Sequence, residues 1–127
     1  MYINKIVTLA NKLSANFEGC TLNLESKEPQ TTRHFERYIC GGFSDELKFK
    51  FCPANKRGQI IFDYIEKNKS IVESKNLFFG IWFFEGFIYL DVCKAYNNRT
   101  KAIRVAKEKN ELAIFDNLEK TEITINH

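Results

Sequence analysis

The segment NLFFGIWFFEGFIYLDV, residues 76–92, carries seven aromatic residues in seventeen positions, and Glu85-Gly86 divides it into two apolar runs. Two runs of strand-forming residues around a two-residue break constrain the fold more than any other feature. They predict an antiparallel hairpin, with Gly86 supplying one of the positive φ angles that a type I′ turn requires. Such a turn sets the register. Phe84 then faces Phe87, Phe83 faces Ile88, Trp82 faces Tyr89, Ile81 faces Leu90, Gly80 faces Asp91 and Phe79 faces Val92.

Side chains alternate between the two faces of a sheet, so this register sorts the hairpin. One face holds Phe79, Ile81, Phe83, Ile88, Leu90 and Val92 and contains no polar atom, as a core face should. The other holds Phe78, Trp82, Phe84, Phe87 and Tyr89, with Asp91 opposite the bare Gly80. Continuous apolar runs are typical of strands covered on both faces. The sequence therefore favours a second face covered by the first or third helix. The alternative is an open surface: aromatic sheet faces stack nucleobases, and Trp and Tyr are enriched at protein interfaces.

A membrane role does not fit the segment, because Glu85 sits at its centre and no apolar run approaches the roughly 20 residues that cross a bilayer. Residues 1–17 do not read as a secretory signal, since Asn4, Lys5, Asn11 and Lys12 interrupt their apolar residues. Cys20, Cys40, Cys52 and Cys93 form no Cys-x-x-Cys pair and each lies in or beside a strand-like segment. They read as reduced, mostly buried thiols of a cytoplasmic protein. The length of 127 residues suits one domain over 1–127, and the formal net charge of +3 permits but does not demand nucleic-acid contact.

Around the hairpin, Ile3, Ile6, Val7, Ala10, Leu13 and Phe17 predict an amphipathic helix over 1–17. Short strands follow over 20–24 and 35–40, separated by a loop around Pro29 and stopped by Gly41-Gly42. Leu47, Phe49 and Phe51 alternate with Lys48, Lys50 and Cys52 as in a half-buried strand ended by Pro53. Ile60, Ile61, Tyr64 and Ile65 mark a second helix over about 56–68. A third, over 100–110, has Asn97 or Asn98 as its cap, and strands over 113–116 and 122–125 complete the chain. The whole reads as an α+β fold: a mainly antiparallel sheet with about three helices, including a central aromatic hairpin.

The third helix lies in the most basic segment. Ala102, Ile103 and Ala106 share its inner face, while Lys101 and Arg104 fall on the outer one with Glu108. That side reads first as a solvated helix face; otherwise Lys101, Arg104 and Lys107 form a strip for phosphate or acidic groups. His34, Cys40 and Cys52 lack the spacing of a zinc site. His34 is the only internal histidine, and no nucleophile, acid and base converge around it or Asp91. Gly41-Gly42 and Lys56-Arg57-Gly58 match no phosphate-loop pattern and read as turns. The sequence thus points to no catalytic residue, cofactor or metal.

In its second half the chain resembles a family of small uncharacterised phage and plasmid proteins. Gly80-x-Trp82, Gly86, Tyr89-Leu90-Asp91-Val92, Ala102 and Ala106 on a helix, and Ala113-Ile114-Phe115-Asp116 carry the likeness over residues 77–116. Asn110-Glu111 stands where those proteins tend to have Asn-Gln. The resemblance implies a mobile genetic element as source and brings no established activity.

Together these readings lead to a non-enzymatic accessory protein of a phage or other mobile element. It would bind a host protein or protein–nucleic acid complex, as inhibitors of CRISPR or restriction systems do, through Trp82, Phe84, Phe87 and Tyr89, with Lys101, Arg104 and Lys107 as a charged strip. The alternative is a small single-stranded nucleic-acid-binding protein using the same aromatic face and basic helix. Self-association through that face also stays open.

Overall fold

The computed structural model describes residues 7–8, 20–22, 37–75, 77–119 and 121–127. Among them are seven strands and two helices. These are β1 (Cys20–Leu22), β2 (Tyr38–Cys40), β3 (Leu47–Lys50), α1 (Ala54–Lys75), β4 (Phe78–Phe84), β5 (Phe87–Tyr96), α2 (Arg99–Glu108), β6 (Ala113–Asp116) and β7 (Thr121–Thr124). Val7 and Thr8 are also helical. The remainder of the helix expected over 1–17, the loop around Pro29, and His34 fall outside the described residues. The strands pair antiparallel in the order β1-β4-β5-β2-β6-β7, with β3 also on β5. The fold is α+β with a mainly antiparallel sheet.

Strands β4 and β5 pair through the Glu85-Gly86 turn, with Phe84 opposite Phe87, Trp82 opposite Tyr89 and Gly80 opposite Asp91. Both turn residues have positive φ, 50° at Glu85 and 82° at Gly86, as a type I′ turn needs. The right-handed twist of the flanking strands selects this turn, and the turn in turn holds the register.

Helix α1 packs on the all-apolar face of the hairpin. Ile61, Tyr64, Ile65 and Val72 meet Phe79, Ile81, Ile88, Leu90 and Val92 in one core, which Val7 also joins. Each such side chain contributes about 1.5–3 kcal/mol on burial. Tyr64 sets its ring edge-on to Phe79, with centroids 6.4 Å apart. The helix runs from Ala54 to Lys75, beyond the expected 56–68 at both ends. It begins directly after Pro53, whose carbonyl accepts from Arg57 N at 2.9 Å. Its apolar stripe is interrupted by buried Asn68, then resumes at Val72. Asn68 is accommodated because its amide donates to the Tyr64 carbonyl at 2.9 Å and its Oδ1 accepts from Ser44 Oγ at 2.6 Å.

Helix α2 covers the same side of the sheet further along. Ala102 and Ala106 are fully buried against Tyr38, Cys40, Tyr96 and Ile114. Asn98 caps the helix, its Oδ1 accepting from Lys101 N at 2.9 Å. Both helices therefore lie on one layer and leave the other sheet face to the aromatic side of the hairpin.

Strands β2 and β3 share one edge of β5. Residues 38–40 pair with 94–96 and residues 47–50 with 87–90. The chain between them, 41–46, has six residues to cross the three-residue interval 91–93 of β5, so it bulges out of the sheet. Phe43 N still donates to the Val92 carbonyl at 3.1 Å. Strand β3 ends at Lys50, short of the expected Cys52, because the chain turns there toward Pro53 and α1.

Candidate functional site

On the face away from the helices, the pairing of β4, β5 and β3 makes two cross-strand rows. Trp82, Tyr89 and Lys48 form one, and Phe84, Phe87 and Lys50 the next. Phe84 is 61% exposed and Trp82 36%, while Phe87 and Tyr89 are half-buried. Lys48 Nζ stands 4.3 Å from the Phe87 ring centroid and 5.5 Å from that of Tyr89, which is cation–π distance. The Trp82 ring leans over Gly80: a Cβ placed there would come within 2.7 Å of Trp82 Cζ3. The missing side chain is what lets the indole lie down on the strand.

Among the described residues, the covered face favoured by the apolar runs gives way to a partly open one. Helix α2 packs against Tyr38, Tyr96 and Ile114, which point to the helical layer, and Val7 likewise joins the core of that layer. At one end of the aromatic face Cys93, Ala95 and Ile39 are buried, with Phe78 and Phe115 packed against them. Toward the turn the same face opens to solvent.

Lys101, Arg104 and Lys107 are exposed on α2. With α2 on the opposite layer, they do not adjoin Trp82, Phe84, Phe87 and Tyr89, and the expected single surface separates into two. Among the described residues, the cations beside the aromatics are instead Lys48 and Lys50. Their alternation with Leu47 and Phe49 was visible in the sequence, but not that β3 pairs with β5. That pairing spans the bulge and carries no local signal.

Asp91, opposite Gly80, is 1% exposed and occupies the gap that the bulge opens in the sheet. Its Oδ1 accepts from Val92 N at 2.8 Å and its Oδ2 from Gly42 N at 3.1 Å. The carboxylate thus supplies acceptors that a regular strand would have provided. Burial pushes its pKa up to about 7, against the two N–H bonds and aided by the Glu111 and Glu46 charges. Glu111 and Glu46 are themselves raised, chiefly by burial. Glu111 follows Asn110, which has φ 57° and ends α2 in the left-handed conformation. Asp91 is committed to the main chain and is closed to solvent, which argues against work as an acid or base on a substrate.

Burial pushes the Cys40 thiol up to about 12 and raises that of Cys93 well above its ordinary value, so both stay protonated and unreactive. Cys40, Cys52 and Cys93 are free thiols. Among the described residues no three His, Cys, Asp or Glu side chains converge as a metal site requires. A notch of about 180 Å³ at the hairpin tip, lined by Phe51, Phe83, Phe84 and Phe87 with the turn, is smaller than the roughly 300–1,000 Å³ of most small-molecule sites. Among the described residues no helix is long and apolar enough to cross a membrane. No family model matches the chain, and neither a curated protein nor a solved structure shows significant similarity to it.

Proposed function

We propose that this chain is a non-enzymatic binding protein that engages a macromolecule through the open end of its aromatic sheet face. The observation that carries this reading is the exposure of Trp82 and Phe84, 36% and 61%, on a face that α1 and α2 leave uncovered. Contiguous rings held in water mark interaction surfaces more often than they serve stability. Trp82 and Tyr89 are also the residue types that dominate binding hot spots. The commitment of Asp91 to Gly42 and Val92 supports a non-catalytic role.

The sequence resemblance to small phage and plasmid proteins supports a mobile element as source, and with it a host defence complex, of CRISPR or restriction type, as the target. Binding would then act by occupying a surface the complex needs. A tagged pull-down from bacterial lysate, with and without nuclease, tests the reading alongside Trp82→Ala and Phe84→Ala. Capture of a discrete host component that both substitutions abolish is the expected result. Capture that neither substitution alters overturns the assignment of this face.

A further inference from the structure

We propose that the component contacted by this face is a single-stranded nucleic acid, its unstacked bases lying on Trp82 and Phe84 and its phosphates pairing with Lys48 and Lys50. The inference rests on the reading of this face as the binding surface and adds the chemical class of the partner.

The spacing of the two exposed rings is the first support. Trp82 and Phe84 are alternate residues of β4, on the same face. Alternate residues on a strand stand about 7 Å apart, whereas neighbouring bases of a duplex strand stand about 3.4 Å apart. The Trp82 indole leans back over Gly80, away from Phe84, so the two rings offer separate platforms to splayed bases, as in single strands, and not to a stacked pair.

Charge is the second support. Each row of rings ends in a lysine, Lys48 beside Tyr89 and Lys50 beside Phe87. Glu85 lies beyond the rows on the turn, and Asp91 is buried. Glu46, just before β3, is exposed at the bulge end of the face, where it feels the Lys48 charge and raises Asp91 and Glu111. Among the described residues, the part of the face toward the turn is therefore aromatic and cationic. A protein lying flat on it would have to bury two ammonium groups, which is costly unless it brings carboxylates in register. A phosphate backbone beside stacked bases neutralises the same lysines while leaving them in solvent.

The experiment titrates the full chain with fluorescently labelled oligothymidylate, reading both the anisotropy of the label and the emission of Trp82, the one tryptophan in the chain. Quenching of Trp82 with the same midpoint as the anisotropy is expected, with weaker binding of a duplex of equal length. Phe84→Ala should weaken binding roughly 5- to 100-fold. Lys48→Gln with Lys50→Gln should lower the log–log salt slope by about 1.4, at about 0.7 per phosphate. Lys67→Gln, on α1, should change neither. Circular dichroism of Phe84→Ala and of Trp82→Phe, which keeps a ring, separates lost contact from lost fold.

Absence of Trp82 quenching at low salt, or affinity indifferent to Phe84→Ala, would overturn the inference. So would sedimentation showing that the free chain self-associates and buries Trp82, since the occupant would then be a second copy. A nuclease-resistant protein partner lost in Trp82→Ala, with no response to the oligonucleotide, would leave the surface assignment standing and remove only the nucleic acid. Indifference of both assays to both ring substitutions would remove the two together.

Discussion

Asp91 Oδ2 stands where a side chain on Gly41 would begin, and Glu111 Oε1 lies 2.8 Å from the same point. The glycine pair 41–42, legible in the sequence as a strand stop, is thus required by the close approach of two carboxylates. Gly42 adds a second requirement, with its φ of 86°.

Gly41→Ala should destabilise the fold. The new Cβ would displace Asp91 from Gly42 N, or shift the bulge, and overpacking of this kind costs about 1–3 kcal/mol. Urea unfolding should show the midpoint falling with little change in slope. Gly86→Ala provides a useful contrast, because its Cβ would meet nothing within 4 Å and only the positive φ would oppose it.

Stability should decline as the pH rises through neutrality. The Asp91 pKa goes from 3.8 to about 7 on folding. The folded state therefore holds a proton that the unfolded state releases. This contribution is complete below the unfolded value and is lost as the pH passes the folded one; it amounts to about 2–4 kcal/mol. Glu111 and Glu46, also raised, act in the same direction. Urea midpoints measured between pH 5 and pH 8.5 should fall, and Asp91→Asn should flatten the profile. A midpoint that rises across this range would show that Asp91 is ionised throughout.

At the other end of the pH scale Arg37 and Asp116 should govern acid stability. The guanidinium Nε and Nη2 donate to the two Asp116 oxygens at 2.8 and 2.7 Å, and Leu118 N and Glu119 N add bonds to Oδ1. The pair holds the Asp116 carboxyl well below the usual carboxylate range, first through that side-chain bond. Its contribution is present above the unfolded pKa and is lost only in strong acid. Arg37→Ala should lower the melting temperature and move the onset of acid unfolding to higher pH, as a thermal series between pH 2 and pH 5 would record.

The two faces of the hairpin should respond oppositely to truncation. Ile88→Ala empties a fully buried site packed by α1 and should cost about 2–5 kcal/mol. Phe84→Ala, at a 61% exposed position, should change stability by about 0.5 kcal/mol or less. Loss of partner capture together with retained stability in Phe84→Ala is the signature of a contact residue. Comparable destabilisation by both would mark Phe84 as part of the core.

Local chemistry wrote several elements into the sequence in readable form. The apolar hairpin face, the strand at Leu47, a cap at Asn97 or Asn98, and Ala102 and Ala106 beneath α2 depend on alternation, turn preference or helix spacing within a few residues. Helix α1 was legible only in part, because buried Asn68 breaks its stripe and is accommodated by Ser44, which comes from the bulge. Among the described residues, the candidate surface was likewise half visible: its rings from their alternation, its lysines not.

What the sequence by itself determined is which side chains share a face of the hairpin, since period-two alternation and a two-residue turn leave no other register. Only the tertiary structure decided which layer the helices occupy, that β2 and β3 divide one edge of β5, and that Lys48 and Lys50 stand beside the rings while Lys101, Arg104 and Lys107 do not. These outcomes depend on pairings between segments tens of residues apart in the chain, such as Lys48 with Tyr89 and Tyr38 with Tyr96. Such pairings follow from the combined burial of all the elements and have no signature in any one of them.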